Sequence, residues 1–258
     1  MKSLGGIRLK ESEVHEKGLK YDRRWLIVDE NGKFLTQRVN NKMALLDVSI
    51  QENGLVLSPR FEPANQMLVP FTPVSSQHIA VRVWNDIVRA RLVCNKADAW
   101  LSDQLGKNVR IVEMTDLTNR KMDPEYAKEG STVSFADDFP YLLISEASLE
   151  ELNRRLASPV EMNRFRPNFV ISGTAPFAED TWKNIKIGEV NFNVAKPCER
   201  CVLTTIDPQN GIKGPEPLKT LATFRKVDKK VLFGQNLVAL QTGILHEGDA
   251  VVCAEHRC

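Results

Sequence analysis

The stretch Lys196-Pro197-Cys198-Glu199-Arg200-Cys201 sets two thiols around an arginine, and the apolar, β-branched run Val202-Leu203-Thr204-Thr205-Ile206 follows it. The pattern predicts a strand over 202–206 with thiols at its mouth, and paired soft donors suit a metal. Cys-x-x-Cys is also half of a zinc site, which Cys253, His256 and Cys258 can complete. A dithiol redox switch and a pair of inert, half-buried thiols are the remaining readings. The redox reading lacks the surrounding thioredoxin-like βαβ pattern, and the zinc reading places ligands among the last three residues, where chains fray.

Two further clusters carry anion-binding chemistry. In Asn163-Arg164-Phe165-Arg166-Pro167-Asn168, Pro167 biases Arg166 toward an extended backbone just before a strand. Arginine's planar fork suits phosphate, and the adjacent asparagine offers donor and acceptor to a polar heterocycle. Lys2-Ser3-Leu4-Gly5-Gly6, with Tyr21-Asp22-Arg23-Arg24-Trp25, can cradle a phosphate, although such a string is more often a turn.

The elements that position these residues read as mainly β with a few helices, an α+β chain. Arg24–Val28 and 34–36 are expected to form a hairpin around Asn31-Gly32, which suits a primed turn. Strands are expected at 45–50, 54–58, 79–84, 87–94 and 109–113, and a helix from Lys96 to Leu105 ends at Gly106. A long loop covers 115–134. A strand at 141–144 then runs into a helix capped by Ser145, with Leu149, Leu152 and Leu156 inward. Strands at 169–172, 185–187, 190–195, 236–240 and 249–253 and a helix at 217–225 complete the chain. Few crossover helices separate these strands, which favours a barrel or meander over a doubly wound parallel sheet.

Composition excludes several classes. The 35 basic and 33 acidic residues are mixed along the 258 positions, so no polyanion-binding stripe forms and nucleic acid is not an expected partner. No apolar run approaches the roughly 20 residues of a membrane span. Five cysteines and no signal-like start point to a reducing compartment, read as cytoplasmic.

The ordered series Lys2-Ser3-Leu4-Gly5-Gly6, Asp22-Arg23-Arg24-Trp25, Ser134-Phe135-Ala136-Asp137, Ser145-Glu146-Ala147-Ser148-Leu149, Phe165-Arg166-Pro167-Asn168, Cys198-Glu199-Arg200-Cys201, Glu216-Pro217-Leu218-Lys219-Thr220-Leu221 and Phe233-Gly234-Gln235-Asn236 resembles the motif series of the MOSC family, the molybdenum cofactor sulfurase C-terminal domain. It resembles in particular those members that reduce N-hydroxylated compounds. The resemblance implies an N-terminal β-barrel-like domain over 1–114 packed on a MOSC β-barrel domain over 115–258. It makes Cys201 the molybdenum ligand and assigns phosphate and pterin contacts to Lys2, Ser3, Arg23, Arg166, Asn168, Glu199, Arg200 and Asn236. Arg200, beside the ligand, is expected to hold the Cys201 thiolate. Asp137 is the candidate for proton handling, an ordinary capping carboxylate being its other reading.

The implied activity is a molybdenum-cofactor oxidoreductase acting on small N-hydroxylated or S-oxide substrates. No Cys-x4-Cys-x2-Cys series is present, so electrons are expected from a separate flavoprotein, haem or iron–sulfur partner. Pyridoxal phosphate binding is associated with the family only at a general level. The other implied classes are a sulfur-carrier or cofactor-binding module without turnover and a zinc-stabilised structural domain.

Overall fold

A computed structural model describes residues 1–126 and 130–257. In chain order its first strands are β1 (Glu11–His15), β2 (Gly18–Leu19), β3 (Trp25–Asp29), β4 (Leu46–Gln51), β5 (Gly54–Pro59), β6 (Met67–Pro70), β7 (His78–Val83), β8 (Asp86–Leu92) and β9 (Val109–Glu113). The later strands are β10 (Tyr141–Ser145), β11 (Phe169–Ile171), β12 (Trp182–Ile187), β13 (Val190–Glu199), β14 (Lys226–Val227), β15 (Lys230–Ala239), β16 (Gly243–His246) and β17 (Val251–His256). The α-helices are α1 (Asn95–Leu105), α2 (Glu146–Asn153) and α3 (Leu218–Phe224). The chain is therefore mainly β, as its patterns predict, and none of these helices is long and apolar enough to cross a membrane.

The strands form four sheets. One has the order β3-β9-β8-β7, a second β4-β5-β6, a third β16-β1-β2, and the largest runs β11-β10-β15-β13-β12-β17 with β14 on β15. Only β10 and β11 pair in parallel among the described strands. Because β1 pairs with β16, Val14 and Leu19 pack with Tyr141, Phe192 and Leu237 in the core of the C-terminal half. The first strand of the chain thus laces the two halves together.

Helix α1 forms as its spacing requires. Ala97, Leu101 and Leu105 are buried, and Gly106 closes the helix with φ 64, a left-handed conformation that glycine adopts without penalty. Asp98 then accepts the Ile111 N–H at 2.7 Å and ties the helix to β9. In α2, the Ser145 hydroxyl caps the helix by accepting from Ser148 N at 3.1 Å. Leu152 is buried, and Leu149 and Leu156 pack against the same apolar cluster, Leu156 from beyond the last helical residue.

Three local expectations are corrected. Residues 34–36 make no strand: Phe34 forms a single bridge to Val28, and Gly32 is the position that needs φ +73, since a Cβ there would sit 2.6 Å from Ala80 O. The predicted strand at 202–206 is a 3-10 helix over Val202–Thr205, because the Thr204 and Thr205 hydroxyls donate to Cys201 O and Val202 O and favour a tight turn. Arg166 is not extended before Pro167 but left-handed, with φ 56. Part of the expected 115–134 loop, residues 127–129, lies outside the described residues.

Candidate active site

Strand β13 carries irregular register against β15 between Val194 and Lys196 and again between Pro197 and Glu199, so the chain bends where the two cysteines leave the sheet. The bend separates them. Cys198 packs beside the apolar cluster of Phe165, Phe233 and Leu142. Burial pushes its thiol pKa up, and the Arg200 guanidinium, 3.0 Å from the sulfur, offsets this only in part. Arg200 also donates to Phe165 O at 2.8 Å. Cys201 turns the other way, and its sulfur accepts from Arg38 Nη2 at 3.0 Å. The expectation that Arg200 serves Cys201 is therefore corrected: its partner is Cys198, because the bend turns the two thiols to different neighbours.

Arg38 is the hub of this side. Its Nη2 also donates to Asp137 Oδ2 at 3.0 Å, and its guanidinium carbon lies 4.9 Å from the Trp84 ring centre. Burial alone would lower the Arg38 pKa, but Asp137 and Cys201 more than reverse that. Asp137 Oδ1 accepts from Lys2 Nζ at 2.6 Å and from Trp84 Nε1 at 3.2 Å. Desolvation would raise the Asp137 pKa, yet Lys2 and Arg38 outweigh it and hold the carboxyl well below the usual carboxylate range. Solvent still reaches that side chain, 45% exposed, and screens both ion pairs. Lys2 is buried, and burial pulls its pKa down to about 8 against the opposing pull of Asp137.

The loop carrying Asp137 is fixed by Arg120, itself buried. Its Nη1 donates to Ser134 O and Ala136 O at 2.6 Å, its Nη2 to Asp137 O at 3.2 Å, and its Nε to Asp86 at 3.0 Å. One guanidinium thus locks the acidic loop to the β7–β8 hairpin.

A second group of side chains adjoins the first. Arg166 Nη1 donates to Leu4 O at 2.6 Å, Arg23 Nη2 donates to Arg166 O at 3.3 Å, and Arg23 pairs closely with Asp22. Asn168 Nδ2 donates to Asp22 Oδ2 at 2.9 Å, while Asn168 Oδ1 takes the Leu142 N–H at 3.1 Å and so anchors the asparagine to β10. Burial, with Arg23 adding like-charge repulsion, lowers the Arg166 pKa to about 10. Burial works against the Asp22 carboxylate, but Arg23 and Asn168 outweigh it and hold its pKa below the ordinary value.

Ser3, Arg23 and Arg166 all have positive φ, at 63, 50 and 56. Each such non-glycine residue costs on the order of 1–3 kcal/mol and persists only where surrounding contacts over-determine it. Here the Gln37 amide holds Ser3 O at 2.9 Å, and Lys2 N is bonded to Trp25 O at 3.0 Å. Of these three, Arg23 and Arg166 meet directly across the two halves of the chain.

The fold brings together Lys2, Asp137 and Cys201 in one group and Arg23, Arg166 and Asn168 in the other, with Ser3 following Lys2 in the chain and Arg200 linked through Phe165 to Arg166. Asn236 sits on β15 opposite Leu142 and Lys196, nearly buried. The Glu199 side chain stays outside: it is exposed and faces Lys230 at 3.5 Å. Arg38, Arg120 and Trp84 escaped sequence reading. Arg38 and Arg120 lie in irregular segments, and the turn at Trp84-Asn85 falls one residue earlier than the expected strands at 79–84 and 87–94 would place it.

Among the described residues no group of three or more His, Cys, Asp or Glu gathers as a metal cluster. Cys253 pairs opposite Ile185 and His256 opposite Trp182 along β17, and Cys258 lies outside the described residues. What the site does offer is five cations, Lys2, Arg23, Arg38, Arg166 and Arg200, against the carboxylates Asp22 and Asp137. Two of its buried donors, Arg38 Nη1 and Arg200 Nε, have no partner. Buried donors are rarely left unsatisfied, so these fit an anionic, acceptor-rich ligand, with Cys201 available as one soft sulfur donor.

A family model described as the MOSC domain matches residues 130–252, and one described as the MOSC N-terminal beta barrel domain matches residues 1–108. Mitochondrial amidoxime-reducing component 1 of Mus musculus is 34% identical over 270 residues, covering 97% of this chain and 78% of that protein. Mitochondrial amidoxime reducing component 2 of Rattus norvegicus is 35% identical over 272 residues, covering 97% and 80%. Component 1 of Homo sapiens is 32% identical over 270 residues, covering 97% and 79%.

Proposed function

Because the chain belongs to the MOSC family, with the N-terminal β-barrel domain and the MOSC domain both matched, we propose that it is a molybdenum-cofactor-dependent oxidoreductase reducing N-hydroxylated, amidoxime-type compounds. The proposed domains are 1–114 and 115–258. The observation that carries the reading is the splitting of the cysteine pair: Cys198 packs against the cluster of Phe165, Phe233 and Leu142 and meets Arg200, while Cys201 lies beside Arg38 and its unpartnered donor.

In this reading Cys201 ligates the metal, and Lys2, Ser3, Arg23 and Arg166 hold a terminal phosphate by charge-assisted hydrogen bonds. Asn168, Arg200 and Asn236 contact the pterin, and Glu199 can reach it only through its backbone, since its side chain faces Lys230. When bound, the cofactor supplies the two-electron chemistry. The net reaction consumes two electrons and two protons, breaks the N–O bond, and releases an amidine and water. S-oxides are a second substrate class of the same oxygen-removal type.

The chain's own residues orient and neutralise. Arg38 fixes the sulfur and balances Asp137. Asp137, held by Lys2 and Arg38, takes up a proton only once one of those cations turns to another anion. The electrons come from a separate flavoprotein, haem or iron–sulfur protein. The cysteine usage is compatible with a cytoplasmic or a mitochondrial setting, and the relatives are named for the latter.

Protein made in a host competent for cofactor synthesis should hold near-stoichiometric molybdenum and pterin, and Cys201→Ala should lose the molybdenum while keeping the fold. Reduction of benzamidoxime with a reduced viologen donor then separates an enzyme from a cofactor or sulfur carrier. Zinc alone in the purified protein, or inactivity of molybdenum-loaded protein, would refute the proposal.

A further inference from the structure

Trp84 occupies a position that a tight hairpin turn ordinarily reserves for glycine. Val83 and Asp86 are the last pair of β7 and β8, so Trp84 and Asn85 alone make the turn, and Trp84 has φ +56. A bulky side chain in the left-handed region is a genuine outlier. The indole is not hidden in compensation: Trp84 is 42% exposed.

Its surroundings hold the ring in place. Trp84 Nε1 donates to Asp137 at 3.2 Å, Phe34 meets the ring edge-on with centres 4.9 Å apart, and the Arg38 guanidinium lies 4.9 Å from its centre. The next residue but one, Asp86, is clamped by Arg120, the same guanidinium that fixes the Asp137 loop. Arg38 and Asp137 therefore form the floor between the indole and Cys201.

We infer that Trp84 is the specificity-determining wall of this site, stacking against a flat aryl group attached to the carbon that bears the N–O function. The inference rests on the proposed reduction of N-hydroxylated compounds. The strained turn leaves the indole partly exposed, and the Asp137 hydrogen bond and the Phe34 contact hold its ring in place. An alkyl-bearing substrate presents no such plane and gains only ordinary apolar contact.

The test compares benzamidoxime with acetamidoxime, its methyl counterpart, on molybdenum-loaded wild type, Trp84→Gly and Trp84→Phe. Glycine suits the turn, so in W84G the relief of backbone strain offsets part of the lost contacts to Phe34, Arg38 and Asp137, and a urea midpoint confirms that each variant is folded. In W84G the ratio of kcat/KM for benzamidoxime over acetamidoxime should fall about tenfold, and W84F should restore most of it. Calorimetric binding of benzamidoxime without an electron donor should weaken by a similar factor in W84G. A ratio and an affinity that stay within about twofold of wild type overturn the inference while leaving the proposed reduction intact. Trp84-dependent binding without turnover by wild type supports the aryl wall and refutes the proposed reduction instead.

Discussion

Arg38 Nη2 lies 3.0 Å from Cys201 Sγ although 163 positions separate the two residues in the chain. The same nitrogen reaches Asp137 Oδ2 at 3.0 Å, so one guanidinium joins the sulfur to the acidic loop. Groups that orient a metal ligand are typically worth about 10- to 100-fold in metal affinity or activity. Arg38→Met should therefore lower molybdenum per chain by at least about tenfold at equal folding, with Arg38→Lys intermediate. Metal analysis beside circular dichroism checks this, and full molybdenum content in Arg38→Met would remove the positioning role.

Lys2 gives a pH signature. Burial lowers its pKa to about 8 from 10.5, so between those values the unfolded chain binds more protons than the folded one. This group's contribution to stability therefore rises with pH across that window, and its desolvation cost is fully present below about 8. Anion binding follows the opposite slope. At pH 9, a unit above the folded value, about a tenth of Lys2 stays charged, and the affinity of cofactor-free protein for inorganic phosphate should fall accordingly. The comparison with Lys2→Met cancels the titration of phosphate itself. Equal slopes in the two proteins would show that Lys2 does not hold the anion.

The strands that position the site were legible where burial is continuous. Tyr141-Leu142-Leu143-Ile144 is apolar throughout and is buried throughout in β10. By contrast, β1, Glu11-Ser12-Glu13-Val14-His15, buries Val14 alone and owes its form to pairing with β16 from the far end of the chain. At the cysteine motif the run 202–206 has strand composition, but threonine hydroxyls bonded to nearby carbonyls draw it into a 3-10 turn. The clusters around Lys2, Arg166 and Cys201 were legible from residue type, while their roles, and the choice of Glu199 and Asn236, came from motif resemblance. Arg38 and Arg120 have no periodicity or turn signature, because their positions are decided by tertiary partners alone. The backbone of Arg166 illustrates the same limit: the local proline bias is overridden where Arg166 Nη1 bonds Leu4 O and its carbonyl meets Arg23.

Arg120 predicts a stability defect with a functional echo. Its Nη1 satisfies two carbonyls in the buried interior and its Nη2 a third. Arg120→Met leaves these acceptors without a donor, at about 1–3 kcal/mol for each buried one. Asp86 is 43% exposed and returns to water, so the ion pair adds little. A loss of about 3 kcal/mol or more in urea unfolding is expected, together with weaker molybdenum retention as the Asp137 loop loosens. An unchanged unfolding midpoint would mean that the loop is held by other contacts.

The two cysteines should respond in opposite ways to the same substitution. Cys198 belongs to the cluster of Phe165, Phe233 and Leu142, and burial raises its thiol pKa, so it stays protonated at neutral pH and is a poor ligand for a soft metal. Cys198→Ala removes a packed sulfur and one acceptor of Arg200, which keeps its bond to Phe165 O. That should lower stability by about 1 kcal/mol and leave molybdenum bound. Cys201, half-buried like Cys198, has the Arg38 guanidinium rather than an apolar cluster as its sulfur contact, so Cys201→Ala should leave the unfolding midpoint nearly unchanged and remove the molybdenum. Metal content and urea midpoints, measured on both variants from the same cofactor-competent host, read the two effects separately. Loss of molybdenum from Cys198→Ala with retention in Cys201→Ala would reverse the assignment of the pair.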